Sequence, residues 1–142
     1  MKSIYIIGSL RNPRIPEIAK KLREAGFEPF DDWFSGGPEA DDCWLRHQKQ
    51  HGRSMRDAIY GYTAQNIFEF DKRHIERCHA VLMVMPAGKS GHLELGYAIG
   101  LGKPGYIMFD KEPERWDVMY AFATEVFSSE ETMMEHFAKW RG

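Results

Sequence analysis

With 142 residues, 43% of them hydrophobic, 28% charged and a net charge of −2, the chain has the composition of an ordinary globular domain able to bury its own core. No basic excess points to a nucleic-acid polymer. The longest apolar runs, such as residues 80–86, are far too short to span a bilayer, so no membrane association is expected. Two cysteines, Cys43 and Cys78, with no secretory signature ahead of them, place the chain by expectation in a reducing, cytoplasmic setting.

KSIYIIGSL (2–10) has the profile of a buried strand entering a glycine turn, and PRIPEIAKKLREAG (13–26) repeats Ile15, Ile18, Leu22 and Ala25 at helical spacing before the stop at Gly26. FEPFDDW (27–33) reads as a second strand ending in acids and an aromatic. Residues 35–53 are polar and read as loop, with at most a turn of helix around Trp44. A long helix is predicted over 54–78, opened by Ser54 as N-cap with Asp57 three positions on. AVLMVMP (80–86) is the clearest buried strand. A glycine-spaced helix around Glu94 follows it, then a strand in KPGYIMF (103–109), an ambiguous segment over 112–123, a short strand at VFSS (126–129) and a last helix over 130–140. This alternation predicts one α/β domain over 1–142, a five-stranded parallel sheet of the flavodoxin-like, doubly wound kind, with helices on both faces. Ligands of such sheets sit beyond the carboxyl ends of the strands, where the strand order reverses.

Three clusters fall at those ends: Tyr5 with Gly8, Ser9 and Arg11; Asp31, Asp32 and Trp33; and Gly88, Lys89, Ser90 and Glu94. Two glycine turns carrying Ser-x-Arg and Lys-Ser suit a phosphate, although Gly-Ser after a strand is also plain turn chemistry. With Ser90 as the cap, Glu94 would lie in or beside the first turn of its helix, where the dipole keeps a carboxylate ionised, as a nucleophile or a stabiliser of positive charge must be. A surface glutamate favoured by the dipole is the plainer alternative. Asp71, after Phe68 and Phe70 in the second half of its helix, has no help from the dipole, and an apolar site there would raise its pKa. Paired carboxylates tuned apart are the pattern of glycosidic bond cleavage, while an exposed Asp71 paired with Lys72 or Arg73 is equally compatible with the local sequence. Trp33 and Phe34 either stack on a base or cap the core. His74 and Cys78, like His47 and His51, are spaced for a metal, but no Cys-x-x-Cys or His-Glu-x-x-His pattern accompanies them, and neither a metal nor a cofactor is expected.

IYIIGSLR, FDKRHIERCHAVLMVMP and SGHLELGYAIGLGKP together resemble the nucleoside 2-deoxyribosyltransferase superfamily, over roughly residues 3–110. The Gly-Ser-x-Arg turn is similar to that of its 2′-deoxynucleoside 5′-phosphate N-hydrolase branch. The resemblance implies that Glu94 attacks or stabilises the anomeric carbon, that Asp71 assists the leaving base and that Tyr5 orients Glu94. It implies a phosphate held by Gly8, Ser9 and Arg11. Gly88 stands at the position six before the glutamate where relatives often carry Asp or Ser, with Ser90 as the residue to take over that polar role, and His79 stands where many carry Asp. It further implies a homodimer whose pocket the neighbour completes, with Met119 and Tyr120 as candidates. The expected partner is thus a nucleoside 5′-monophosphate or a nucleoside, cleaved by hydrolysis or, alternatively, by base exchange. A non-catalytic nucleotide-binding module and a flavin-binding flavodoxin-like domain are the non-enzymatic alternatives.

Overall fold

A computed structural model describes all residues, 1–142. Its elements run β1 (Ser3–Ile7), α1 (Arg14–Glu24), β2 (Glu28–Phe30), α2 (Ala40–Gln50), α3 (Met55–Ile59), α4 (Tyr62–Arg77), β3 (Ala80–Val84), α5 (Lys89–Gly100), β4 (Gly105–Met108), β5 (Glu125–Phe127) and α6 (Glu130–Lys139), with 3₁₀ turns at Asp32–Gly36 and Val118–Phe122. The five strands form one parallel sheet in the order β2-β1-β3-β4-β5. The expected flavodoxin-like architecture is therefore present, and the order reverses between β1 and β3.

Alternation along the central strands divides the core in two. Ile4, Ile6, Leu82, Val84, Tyr106 and Met108 pack with α1 and α6, whereas Tyr5, Ile7, Val81, Met83 and Ile107 pack with Ile75 of α4 and Leu95 and Ala98 of α5. Tyr5 thus points toward the layer that carries both Asp71 and Glu94. Arg14, near the turn after β1, joins the first helical layer to the far strand end by pairing with Asp110 and Glu130, and Lys21 also pairs with Glu130.

Three expectations need correction. Residues 40–50, read as loop, form the helix α2; only Gln48 in it is buried, so no apolar stripe marked it. The single helix over 54–78 is two. Ser54 does cap the first, accepting from the Asp57 amide, but Tyr60 ends it and Gly61, in extended conformation, starts α4. Finally, α5 opens at Gly88, not at Ser90, because the chain leaving β3 turns helical immediately after Gly88.

Gly91 lets α5 approach the sheet. A Cβ there would lie 2.9 Å from Ile7 Cγ2 and 3.2 Å from Ala87 Cβ, on a buried strand and a tight turn that have little room to move. Gly91→Ala is expected to lower stability by about 1 kcal/mol or more through overpacking. Gly96→Ala, in the same helix with nothing within 4 Å of its Cβ position, should instead raise it by about 0.5–1 kcal/mol. Urea unfolding of the two variants beside the parent tests the contrast.

Candidate active site

Glu94 is the sixth residue of α5, two positions deeper than the dipole argument placed it. It lies between exposed Leu93 and buried Leu95. Its Oε2 accepts a 2.7 Å hydrogen bond from the Tyr5 hydroxyl. Burial pushes the Glu94 carboxyl from 4.5 up to about 7; the Tyr5 bond opposes this rise and the charge of Asp71 adds to it. The expectation of a dipole-stabilised, fully ionised carboxylate is therefore overturned by desolvation, which dominates once the group sits below the first turn. Burial beside Glu94 and Asp71 also holds the Tyr5 phenol far above the ordinary range, so it stays a donor.

Asp71, on α4, is partly buried, and burial raises its pKa while His74 lowers it. The direction is the one its apolar setting predicts. Lys72 does not pair with Asp71; it bonds Glu76 at 3.2 Å. Asp71 is instead felt electrostatically by both Tyr5 and Glu94. The three sequence-predicted acid–base residues therefore share one corner of the molecule, brought there by β1, α4 and α5.

The turn after β1 is held by its own hydrogen bonds. Ser9 Oγ accepts from the Arg11 amide, Ser9 O from the Asn12 amide, and buried Asn12 Oδ1 from the Arg14 amide. The amides of Gly8, Ser9 and Leu10 have no partner in the protein. Gly8 is required by packing, since a Cβ would sit 2.5 Å from Ile15 Cδ1 and 3.3 Å from the Val84 carbonyl. Arg11 reaches outward and pairs at 2.9 Å with Asp42 of α2. The start of α5 is open in the same way. Gly88 provides no side-chain cap, and the amides of Lys89, Ser90 and Gly91 have no partner in the protein. Gly91 is buried, so its free amide is poised for an anion. The Ser90 hydroxyl is exposed beside them.

The other candidates separate from this corner. Trp33 donates its indole N–H to the Ile6 carbonyl at 2.8 Å and packs against both cores, with Phe34 edge-on to it, so the capping alternative describes its contacts. Asp32 is exposed at the start of a 3₁₀ turn and borders a depression of about 370 Å³ with Asp31, Phe34 and Ser35. Met119 is exposed in the 3₁₀ turn Val118–Phe122, and Tyr120 beside it bonds His92 Nε2 at 2.9 Å. His92 Nδ1 in turn donates to the Gly88 carbonyl at 2.7 Å, which ties this turn to the start of α5. His79 meets the Ser3 amide and hydroxyl at the foot of β1, a structural role. No group of three or more His, Cys, Asp or Glu side chains is placed to hold a metal ion, and no helix is long and apolar enough to cross a membrane.

Sequence reasoning missed Phe30 and His74. Tyr5 stacks on Phe30 with ring centroids 5.3 Å apart, and Phe30 stacks on His74 at 4.0 Å. Three rings from β1, β2 and α4 form one column that no local spacing announces.

No family model and no curated protein matches the sequence. Solved structures do. A conserved protein from Enterococcus faecalis V583 superposes with a TM-score of 0.64 at 14% identity, over 95% of this chain and 96% of that one. A CMP N-glycosidase from Clostridium botulinum gives 0.59 at 14%, over 96% and 98%. A 2-deoxyribosyltransferase from Bacillus psychrosaccharolyticus gives 0.60 at 16%, over 98% and 92%. This chain has their fold.

An acid whose folded-state pKa lies above its unfolded one binds its proton more tightly in the fold. Its contribution to stability is full below 4.5 and is lost as pH rises toward about 7. Glu94→Gln removes that loss while keeping an acceptor for Tyr5. The variant should be more stable than the parent by up to about 3 kcal/mol at pH 8.5 and gain almost nothing at pH 4, as measured by denaturant unfolding at the two pH values.

Proposed function

We propose that this protein is an enzyme of the nucleoside 2-deoxyribosyltransferase superfamily that hydrolyses the N-glycosidic bond of a (deoxy)nucleoside 5′-monophosphate. The observation that carries this reading is the desolvated Glu94 held by Tyr5, coupled to Asp71, one turn below three free amides. A module that only binds nucleotides gains nothing from two carboxyls held away from their ordinary pKa values, which costs it stability. The fold shared with a CMP N-glycosidase and a 2-deoxyribosyltransferase supports the same chemistry.

The mechanism follows from charge. Breaking the bond between C1′ and the base sends its electron pair to the base nitrogen and leaves positive charge on the sugar. Glu94 meets that charge from a poorly solvated position, where the attraction is strongest. Asp71 gives its proton to the departing base. Because the two carboxyls repel one another's charge, the pair retains a proton near neutrality. The Tyr5 hydroxyl donates to Glu94 alone and opposes the rise that burial imposes there; positive charge growing on the sugar then favours the microstate with the charge on Glu94 and the proton on Asp71. Water then adds to C1′, directly or by resolving a glycosyl ester on Glu94, and its proton returns to the pair. The Lys89–Gly91 amides and Ser90 receive the 5′-phosphate, with Ser9 and Arg11 on its other side.

Chromatography of free base released from a panel of ribo- and deoxynucleoside 5′-monophosphates tests this. The parent should release base from at least one of them, Asp71→Asn should be slower by about 10²–10⁴-fold, and Glu94→Gln by at least about 10²-fold. No release in water, but formation of a new nucleoside when a free acceptor base is added, would replace hydrolysis by base exchange. Binding without either reaction would leave only the binding module.

We further infer a homodimer. α4 and α5 lie side by side on the sheet and, with the 3₁₀ turn Val118–Phe122, expose Ile67, Phe68, Leu93, Val118, Met119 and Phe122, all at least 54% accessible. An apolar surface of this kind marks an interface, and it borders the catalytic corner, so a neighbour seated there would complete the pocket. Leu93→Asp should convert the dimer to monomer in sedimentation velocity and reduce base release with it; a parent that sediments as a monomer at micromolar concentration would refute the dimer.

A further inference from the structure

The ring column has a further role. We infer that His74 is a positioning residue: stacked on Phe30, it closes the column that aims the Tyr5 hydroxyl at Glu94, and it stands one helical turn from Asp71 on the same face of α4. The inference rests on the roles proposed above for Glu94 and Asp71 and adds a residue that acts through Tyr5 and Asp71.

The geometry is as follows. Phe30 is sandwiched, with Tyr5 at 5.3 Å and 17° between ring planes on one side and His74 at 4.0 Å and 19° on the other. Near-parallel stacking on both faces leaves Phe30 little freedom to tilt, and Tyr5 therefore presents its hydroxyl in one direction. The outer ring is fixed in turn. His74 Nδ1 lies 2.8 Å from the Phe70 carbonyl, which can only accept, so Nδ1 carries the proton and the imidazole is anchored to its own helix. Phe70 closes the remaining side, 4.5 Å from His74 and 5.9 Å from Phe30.

Residues three apart on a helix are surface neighbours, which brings His74 beside Asp71. The titratable groups sharing this corner are Asp71 on α4, Cys78 just past its end, Tyr5 on β1 and Glu94 on α5; Phe30 of β2 contributes none. Of the α4 side chains around Asp71, His74 is the one that opposes the rise caused by burial. An apolar ring of similar size in its place would keep the column and remove that influence. Removal of the ring would release the column.

Two variants separate these effects. His74→Phe preserves stacking without a titratable nitrogen; His74→Ala removes the slab. Circular-dichroism melts establish that both are folded. Kinetics on the nucleotide that the parent cleaves best, and titration of Asp71 and Glu94 by carboxyl ¹³C NMR on the free protein, then supply the readouts. His74→Ala should lower kcat by about ten- to a hundredfold with KM within about twofold, and should move the Glu94 titration upward because Tyr5 is no longer held to it. His74→Phe should keep kcat within about threefold of the parent and move the Asp71 titration upward. The inference is overturned if His74→Ala leaves kcat and the Glu94 titration at parent values, or if His74→Phe is as impaired as His74→Ala with Asp71 unmoved. A parent that cleaves no nucleotide defeats the hydrolase reading alone. The two titrations then decide the role of His74 by themselves, with the same shifts supporting it and unchanged midpoints overturning it.

Discussion

Everything at the corner shared by Tyr5, Asp71 and Glu94 depends on a hydrogen bond between a phenol and a carboxylate that come from different layers of the protein. Tyr5 belongs to an inner strand, β1, and Glu94 to a helix laid over the sheet, and their 2.7 Å contact closes 89 residues of chain. A hydroxyl donating to a partly buried carboxylate is one of the stronger hydrogen bonds available to a protein. It is also directional. It engages one oxygen of Glu94, Oε2, and it stabilises negative charge on this acid in preference to its neighbour.

That arrangement opposes stability. Burial alone would neutralise Glu94, and the repulsion from Asp71 acts in the same direction. The fold tolerates the conflict because the scaffold beneath is dense. Ile7, Val81, Met83 and Ile107 are essentially inaccessible, and Leu95 and Ala98 pin α5 on either side of the turn that follows Glu94. Gly91 adds close approach, and it also leaves a buried amide facing outward at the start of the helix. One glycine therefore serves the packing and the electrostatics together. The free amides at the start of α5 and the Glu94 carboxyl are thus set about a turn apart along one helix.

The central strands were legible because continuous Ile, Val and Met runs bounded by glycine turns have few other interpretations, and their alternation with helices led directly to the parallel sheet. Tyr5, Asp71 and Glu94 were legible as polar residues in apolar surroundings and through the resemblance of their flanking segments to one family. The structure brings all three together. What the sequence hid has specific causes. Helix α2 buries little beyond Gln48, so its helical period left no trace in the apolar residues. The break at Gly61 was masked because aromatic and aliphatic side chains continue across it. The depth of Glu94 was misjudged by two residues because the position of a cap depends on how the chain leaves a strand, and Gly88 and Ser90 are both credible caps. The column of Tyr5, Phe30 and His74 joins three elements far apart in the chain, and sequence order contains no record of such a contact.

Helix α2 also differs from the rest in what restrains it. Its lateral tie to the site is the exposed ion pair of Asp42 with Arg11, and exposed pairs of this kind hold with about 0–1 kcal/mol. A segment so lightly attached can open and reclose while the sheet stays folded, and its amides would exchange with solvent through that local route rather than by global unfolding. The wall on the Arg11 side of the strand ends is therefore a compliant element set against a rigid one.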